Sequence, residues 1–318
     1  MRLLFAGSAG IAAPSLAALR REHDVVAVLT NPDRPAGRGR HQIETEISTV
    51  ARAASIPVLK PEHLDGRFRE SVRALQPELL VVFAYGHIFG PKFLDLFPRG
   101  GINVHPSLLP RHRGPSPIPA AILAGDAETG VTVQRLAIEM DSGDILLQRR
   151  LPLTGRETTD GLTEVMGAVG AELVREAVTR ILELVPVPQE GSKATYCRLV
   201  EKNDGVIDWR LSAVEIDRMV RAYLPWPEAQ TTFHDAPLHI LEAALVEPAP
   251  PGERHEGEPA PPPGRVVGVD THAGILVQTG HGLLALRKLK LQSKKALNWK
   301  DFLNGAHHLI GSNLGERP

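Results

Sequence analysis

Short apolar segments alternate with longer amphipathic segments from residue 1 to about residue 185. Their length and β-branched content predict strands at residues 3–6, 25–29, 79–83, 102–104 and 131–133. The helical spacing of apolar positions between them predicts helices at 14–21, 47–54 and 68–75. This alternation is typical of a parallel α/β sheet with right-handed crossovers. Such sheets bind ligands beyond the carboxyl ends of their strands.

The pattern changes after residue 184. A helical pattern over residues 160–184 is broken by VPVPQEGS, which predicts a domain boundary between there and residue 208. A helix at 214–221 and an LPWP turn precede short predicted strands at 230–233, 238–243, 264–269, 274–278 and 282–290. Closely spaced short strands indicate a small barrel or sandwich. The proline-rich, charged residues 248–263 are expected to form a solvated loop between two strands.

The candidate chemistry lies between residues 101 and 144. Asn103 and His105 stand two positions apart on a predicted strand, so their side chains share a face, and Pro106 holds His105 extended. Asp141 can orient the imidazole if the chain folds back. The amide and imidazole would then stabilise an oxyanion while the carboxylate fixes the ring. Spacing alone also allows an ordinary turn, a structural histidine and a loop aspartate.

Other chemistries have little support in the sequence. No nucleophile-elbow motif accompanies the candidate site, which favours direct attack by the substrate's own nucleophile. The thirteen histidines include no HExxH motif, and one cysteine cannot form a CxxC pair, so no metal is expected. Gly7 and Gly10 fit a tight turn into a helix better than a dinucleotide fingerprint. Cys197 is expected to be a small buried apolar side chain.

The overall charge is balanced, with 36 Lys plus Arg against 37 Asp plus Glu. Any electrostatic attraction to a partner must therefore be local. The single cysteine fits a reducing cytoplasm, and no apolar run approaches the ~18 residues of a membrane helix. We therefore expect a cytoplasmic protein without a membrane partner.

Two segments concentrate positive charge. Residues 30–41 are too rich in proline and glycine to predict regular structure, and residues 287–300 carry six basic residues and no acidic one. Both segments are able to contact a phosphate backbone, although ordinary solvated surface is the alternative for each. The candidate contacts are Arg34, Arg38 and Arg40 in the first segment and Lys288, Lys290, Lys294 and Lys295 in the second.

Distinctive motifs occur along nearly the whole chain: PDRPAGRG, VVFAYGHIFGP, NVHPSLLP, GDAETGVTV and MDSGD, followed by IDW and PWP. Together they resemble the motifs of the folate-dependent formyltransferases. NVHPSLLP with its later aspartate is typical of the family, and the PDRPAGRG loop with the second domain resembles the members that act on tRNA. One departure is the first turn, where Ser8, Ala9 and Ile11 replace the Thr-Pro and aromatic residue usual in the family.

The resemblance implies a Rossmann-like, mostly parallel catalytic domain at residues 1–190, a linker at 191–207 and an OB-like β-barrel at 208–318 that holds tRNA. It implies formyl transfer from 10-formyltetrahydrofolate to the α-amino group of methionyl initiator tRNA by a monomeric enzyme without a metal. The implied catalytic residues are Asn103, His105 and Asp141. The implied folate contacts are Ser107, Leu108, Leu109 and Pro110, and the loop at the tRNA acceptor end would centre on Arg38.

Three other functions remain open from the sequence. A formyltransferase acting on a small amine would share NVHPSLLP but has no need of two basic segments. A hydrolase of formyl-folate would use water at the same three residues. A non-catalytic RNA-binding protein would have no reason to keep Asn103, His105 and Asp141 together.

Overall fold

The structure, a computed structural model, describes residues 1–36, 41–234, 236–246, 261–306 and 308–315. The chain divides into two compact units. The first comprises residues 1–121, 127–153 and 161–199, and the second comprises 122–126, 154–160 and 200–318. The domain limits expected from the sequence stay a prediction.

The first unit is built on a seven-stranded sheet. Its strands, in the order they occupy in the sheet, are β5 (Val58–Leu59), β2 (Asp24–Leu29), β1 (Arg2–Ala6), β6 (Leu79–Phe83), β7 (Gly101–His105), β8 (Glu128–Arg135) and β9 (Ile145–Pro152). The first five run parallel, and β8 and β9 are antiparallel to their neighbours. The mostly parallel sheet is therefore confirmed. The sequence missed β5, which has only two residues, and β9, a half-exposed strand with two arginines.

Helices connect and cover the strands. They are α1 (Ala13–Glu22), α2 (Glu46–Ala53), α3 (Gly66–Ala74), α4 (Pro91–Leu94), α5 (Pro117–Ala124) and α6 (Thr159–Thr179). Two of them begin at the residues that capping chemistry favours: Thr45 accepts a hydrogen bond from Ser48 N, and Asp65 from Phe68 N. A 3-10 turn at Gly10–Ala12 leads into α1, as expected of the first glycine turn. Within the described residues, no helix combines the length and apolar character that crossing a bilayer requires.

The core of the first unit holds β7 in place. The neighbouring strand β6 is buried along its whole length. Helix α6 approaches the sheet closely at Gly170, where an added Cβ would lie 3.1 Å from Phe83 and 3.2 Å from Val104. Because this packing leaves little room for movement, the carboxyl end of β7 is a rigid place for side chains.

The second unit contains a six-stranded antiparallel sheet. Its strands are β10 (Ala229–Phe233), β11 (Ala236–Leu245), β12 (Val266–Asp270), β13 (Gly274–Gln278), β14 (Leu283–Leu291) and β15 (Leu297–Asn298). The sheet order is β10-β11-β14-β13-β12, with β15 paired to β14. Helices α7 (Ala213–Ala222) and α8 (Trp299–Gly305) pack on it. The predicted small β domain with one preceding helix is confirmed, and its sheet is antiparallel.

The first basic segment is more regular than its composition predicts. Residues Arg34–Ala36 form β3 and His41–Ile43 form β4, which pair as an antiparallel hairpin. The expectation of no regular structure over 30–41 is therefore wrong for residues 34–36 and 41, because backbone pairing overrides weak strand propensity there. The segment at 248–263 does join two strands, β11 and β12, but residues 247–260 lie outside the described part of the chain.

Candidate active site

Asn103 and His105 project from the same face at the carboxyl end of β7. The antiparallel neighbour β8 places Gln134 opposite Asn103 and Thr132 opposite His105. Directly opposed residues of an antiparallel pair share a face, so four polar side chains meet at one place. Thr132, Gln134 and His105 are almost completely buried. A buried polar group of this kind needs hydrogen-bond partners, which the chain supplies locally.

The carboxylate of Asp141 lies at the centre of this group. Its Oδ1 accepts hydrogen bonds from Asn103 Nδ2 at 3.2 Å and from Gln134 Nε2 at 3.0 Å. Its Oδ2 accepts one from the backbone N–H of Gly114 at 2.8 Å. Asp141 has φ +53°, a left-handed backbone that aspartate tolerates better than most residues. The structure thus brings together the three residues that the sequence singled out.

Gly114 is required by close backbone packing. Its φ is +114°, and an added Cβ would lie 2.1 Å from the carbonyl oxygen of Cys197. Only glycine therefore fits where the N–H points to Asp141. Cys197 itself is partly exposed, and its Sγ donates to Arg113 O at 3.3 Å. The expectation that it is a buried apolar residue is thus wrong, because its thiol faces backbone carbonyls.

Both ring nitrogens of His105 face oxygen atoms. Nε2 lies 2.9 Å from the carbonyl oxygen of His112, and Nδ1 lies 3.5 Å from Asp141 Oδ1. A carbonyl oxygen only accepts, so Nε2 carries a proton in this contact. Burial lowers the pKa of His105, and this effect outweighs Asp141 and the His112 carbonyl, which both raise it. The ring is therefore neutral near pH 7, and its Nδ1 has a free lone pair on the carboxylate side.

The amide of Asn103 has a defined orientation. Because the Asp141 carboxylate only accepts, Asn103 must turn its NH2 group toward it. One amide hydrogen is used in this bond, and the second remains for a substrate oxygen. Asn103 is also less buried than its strand neighbours. It is therefore suited to donate to a developing negative charge.

The segment after β7, Ser107 to Pro110, is fixed by hydrogen bonds. Thr132 Oγ1 donates to Ser107 O at 2.7 Å and accepts from Leu109 N at 3.2 Å. Gln148 Nε2 donates to Leu109 O at 3.0 Å. Ser107 and Leu109 are buried, whereas Leu108 and Pro110 are half-buried. The backbone of this segment is therefore held in place, and the side chains of Leu108 and Pro110 are its accessible part.

The chain matches known protein families in both halves. Residues 1–178 match the formyl transferase family, and residues 199–307 match the formyl transferase C-terminal domain family. The chain belongs to the formyl transferase family. It is 45% identical over 316 residues to a methionyl-tRNA formyltransferase of Treponema denticola, covering 96% of this chain and 97% of that protein. A methionyl-tRNA formyltransferase of Roseiflexus is 41% identical, covering 99% of this chain and 96% of the relative.

Solved structures share the fold at lower identity. HypX from Aquifex aeolicus in complex with tetrahydrofolic acid has a TM-score of 0.63 at 17% identity, covering 100% of this chain and 51% of that one. A methionyl-tRNA formyltransferase from Clostridium thermocellum has a TM-score of 0.55 at 17% identity, covering 77% and 94%. These likenesses support the same architecture as the family match.

Sequence reasoning missed several residues of this formyl transferase site. Gln134 and Gly114 bind the Asp141 carboxylate, and Gln148 binds the segment from Ser107 to Pro110. The sequence-based prediction for this strand stopped at residue 133, whereas β8 continues to Arg135 and so includes Gln134. No sequence signal pointed to Gly114 or Gln148, because their roles depend on how distant segments meet.

The base of the basic hairpin is held by an ion pair network. Lys60 Nζ lies 2.5 Å from Asp33 Oδ1, just before β3, and 3.7 Å from Glu44 Oε1, just after β4. The Lys60 side chain is only 17% exposed, so this network is shielded from solvent more than a surface pair. Arg34 is exposed at the start of the hairpin. Arg38 and Arg40 lie outside the described residues.

The four lysines of the second basic segment that are candidate phosphate contacts differ in their surroundings. Lys288, Lys294 and Lys295 are exposed. Lys290 is half-buried, and its Nζ lies 2.6 Å from Glu228 Oε1. Lys290 is therefore already engaged in an ion pair, which makes it the least available of the four for a phosphate. Among the residues that the structure describes, no group of His, Cys, Asp and Glu is arranged to hold a metal ion.

Proposed function

We propose that this formyl transferase moves the formyl group of 10-formyltetrahydrofolate onto the α-amino group of methionyl initiator tRNA. The observation that carries the chemistry is the Asp141 carboxylate, held between Asn103 and His105 at the end of β7. The 45% and 41% identities to methionyl-tRNA formyltransferases, which extend over both units, support the acceptor. The cytoplasm, where charged tRNA is used, is the proposed compartment, and a monomer is the proposed state.

Asn103 is proposed to stabilise the charge that develops during attack. The α-amino group of an aminoacyl ester has a pKa near or below ~7.7, so much of it is neutral and nucleophilic at cellular pH. As this nitrogen bonds to the formyl carbon, the formyl oxygen becomes negative. The free hydrogen of the Asn103 amide donates to that oxygen. One such donor contributes about 10²- to 10³-fold in rate.

His105 is proposed to carry the proton. Its Nε2–H is engaged by His112 O, so Nδ1 is the position open to an incoming proton. Nδ1 takes the proton from the attacking amine, and the resulting imidazolium faces Asp141 at 3.5 Å. The proton then passes to the folate N10 as the bond between N10 and the formyl carbon breaks. This assigns the oxyanion to Asn103 and proton transfer to His105, where the sequence suggested two oxyanion donors.

The two substrates are assigned to different parts of the chain. The segment from Ser107 to Pro110 is proposed to line the folate side, with Leu108 and Pro110 making the side-chain contacts. Arg34, Arg38 and Arg40 of the first basic segment and Lys288, Lys294 and Lys295 of the second are proposed to contact tRNA phosphates, where guanidinium and ammonium groups bind without reading sequence. Residues 1–190 would form the catalytic domain, 191–207 the linker and 208–318 the tRNA-binding domain.

A formyl-transfer assay with matched tRNAs tests this function. Charged methionyl initiator tRNA and methionyl elongator tRNA are each supplied with 10-formyltetrahydrofolate, and formyl-methionyl-tRNA and tetrahydrofolate are both measured. We expect equal amounts of the two products and a strong preference for initiator tRNA. Release of tetrahydrofolate without formylated tRNA would instead indicate a hydrolase. Transfer only to a small amine would contradict the proposed acceptor.

Variants link the activity to the proposed residues. Asn103→Ala removes the oxyanion donor, and we expect turnover to fall about 10²- to 10³-fold with tRNA affinity nearly unchanged. Arg38→Ala is expected to weaken use of tRNA far more than folate binding, because a phosphate contact affects only the acceptor. Wild-type turnover in Asn103→Ala would contradict the role proposed for Asn103, and unchanged tRNA kinetics in Arg38→Ala would contradict the role proposed for Arg38.

A further inference from the structure

Gln189 contacts the loop that carries Asp141, and a buried arginine fixes the orientation of the Gln189 amide. Gln189 Oε1 accepts hydrogen bonds from Arg113 Nε at 3.1 Å and from Nη2 at 2.7 Å. A guanidinium group only donates, so the oxygen of the amide must face Arg113. The NH2 group is therefore turned to the opposite side, toward the catalytic loop.

The NH2 group of Gln189 meets three oxygens of the site. Nε2 lies 2.9 Å from Asp141 O, 2.7 Å from Gly143 O and 3.1 Å from Gln134 Oε1. The two hydrogens of this NH2 group are shared among the three acceptor oxygens. The backbone on both sides of Ser142 is thus bound by one amide.

Gln134 continues the contact to the carboxylate. Its Oε1 faces Gln189, so its own NH2 group faces Asp141 and donates to Oδ1 at 3.0 Å. Hydrogen-bond donation therefore runs in one direction from Arg113 through Gln189 and Gln134 to Asp141. Such a chain is directional because each amide oxygen accepts on one side while the nitrogen donates on the other.

Arg113 is itself held firmly. It is 6% exposed, and its Nη1 donates to the Tyr196 hydroxyl at 3.1 Å. Its guanidinium also lies 5.8 Å from the Tyr196 ring centre, and its backbone N–H donates to Thr195 O. The chain of donors therefore starts from a rigid cation.

The loop needs external support of this kind. Asp141 has φ +53°, and a non-glycine residue keeps this left-handed conformation only where the surrounding structure holds it. Gly143 packs directly on β8, where an added Cβ would lie 1.9 Å from Arg135 O. The two carbonyls that Gln189 binds belong to these two residues.

We propose that Gln189, fixed by Arg113, is a positioning residue for formyl transfer that sets the Asp141 carboxylate against His105. The inference rests on the proposed function of the site and deepens it. Gln189 touches no reacting atom, and it acts by holding the loop backbone directly and the carboxylate through Gln134. Because a displacement of about 1 Å in a catalytic group can cost about 10²-fold in rate, loss of Gln189 should appear in turnover.

Two variants of Gln189 separate positioning from folding. Gln189→Glu keeps an oxygen for Arg113, now as an ion pair, but replaces the NH2 group with an oxygen that repels the carbonyls of Asp141 and Gly143. Gln189→Met keeps the size and removes every hydrogen bond. We expect kcat to fall about 10- to 100-fold in both, with KM for each substrate within about threefold of wild type.

Control variants show whether the effect is specific. Gln148→Ala removes another amide of the same site, one that binds Leu109 O and Thr132 Oγ1, and we expect it to raise KM for the formyl donor more than it lowers kcat. Gln76→Glu makes the same charge change at an exposed turn before β6 and should leave both parameters unchanged. Thermal unfolding of each variant identifies loss of folding.

A titration of His105 gives a readout that does not depend on activity. Asp141 raises the His105 pKa, so displacing the carboxylate should lower it in Gln189→Met, as followed by NMR of the imidazole ring. Unchanged kcat in folded Gln189→Glu, or an unchanged His105 pKa in folded Gln189→Met, would overturn the positioning role. If wild type formylates no tRNA, the proposed function fails, whereas the titration still decides the role of Gln189.

Discussion

Replacing Asp141 with Asn tests the centre of the mechanism with the smallest change of shape. Asparagine tolerates the left-handed backbone at φ +53° as aspartate does, so the loop can keep its conformation. An amide has only one acceptor oxygen. Whichever way it turns, its NH2 group faces a donor: either Gly114 N or the amides of Asn103 and Gln134. An unsatisfied buried donor costs about 1–3 kcal/mol in stability.

The larger effect is expected on the rate. When His105 takes up a proton, a full charge pair at 3.5 Å gives about 5 kcal/mol at an effective dielectric constant of about 20. Part of this charge has developed in the transition state, so we expect to lose about 3–4 kcal/mol there, or about 10²- to 10³-fold in kcat. KM for either substrate should change little, because the interaction is made mainly in the transition state.

Single-turnover formylation at saturating donor and saturating methionyl-tRNA measures this loss directly. Asp144→Asn is the matched control, since it makes the same change in the same loop three residues away. We expect Asp144→Asn to retain wild-type turnover within about twofold. If folded Asp141→Asn formylated tRNA within about fivefold of the wild-type rate, stabilisation of an imidazolium by Asp141 would be refuted.

Three further results are expected. Burial lowers the His105 pKa below 6.5, so the unfolded chain gains a proton first as pH falls. Stability is then full above pH 6.5 and decreases toward the folded pKa, and His105→Asn should flatten the dependence of Tm on pH. Lys60→Met removes the cation between Asp33 and Glu44 and should raise KM for tRNA about 3- to 10-fold without changing folate kinetics; equal effects on both substrates would contradict this. Lys290→Ala should lower Tm, because the ion pair with Glu228 is lost, and should leave KM for tRNA nearly unchanged. A raised KM for tRNA with an unchanged Tm would instead indicate that Lys290 contacts tRNA.

Local patterns in the sequence were enough to predict most of the fold. Strands β1, β2, β6 and β7 are short apolar runs, and a buried run of this kind has few alternatives to a central parallel strand. The antiparallel strands at the edge of the sheet were harder to predict. Strand β9 carries Arg149 and Arg150 and is half-exposed, so its composition resembles that of a loop.

Some features of the candidate site could likewise be predicted from the sequence and others could not. Asn103 and His105 follow from the period of a strand, whereas Asp141 was expected beside them only if the chain folds back and by the family resemblance. The orientation of the His105 ring could not be predicted, because it depends on the carbonyl of His112. Gln189 reaches Asp141 across 48 residues of sequence, a distance at which composition carries no signal.

The sequence alone also does not show which positive charges of the second unit are already paired. Lys290 looks like any other member of a basic run in the sequence. Its partner Glu228 lies 62 residues earlier, after the turn that precedes β10. Only the pairing of strands β10, β11 and β14 brings the two together. A count of basic residues therefore overstates the charge available to a phosphate backbone.

The carboxylate of Asp141 is held by two amides and a backbone N–H, which are dipoles and carry no net charge. Dissolved salt screens interactions between exposed ions and has little effect on buried dipoles. The proposed binding of tRNA through arginine and lysine, in contrast, should weaken steeply with salt, because binding releases counterions from the phosphates and added salt opposes that release. Raising the ionic strength should therefore weaken the binding of the acceptor tRNA and leave the rate of formyl transfer from the bound state nearly unchanged.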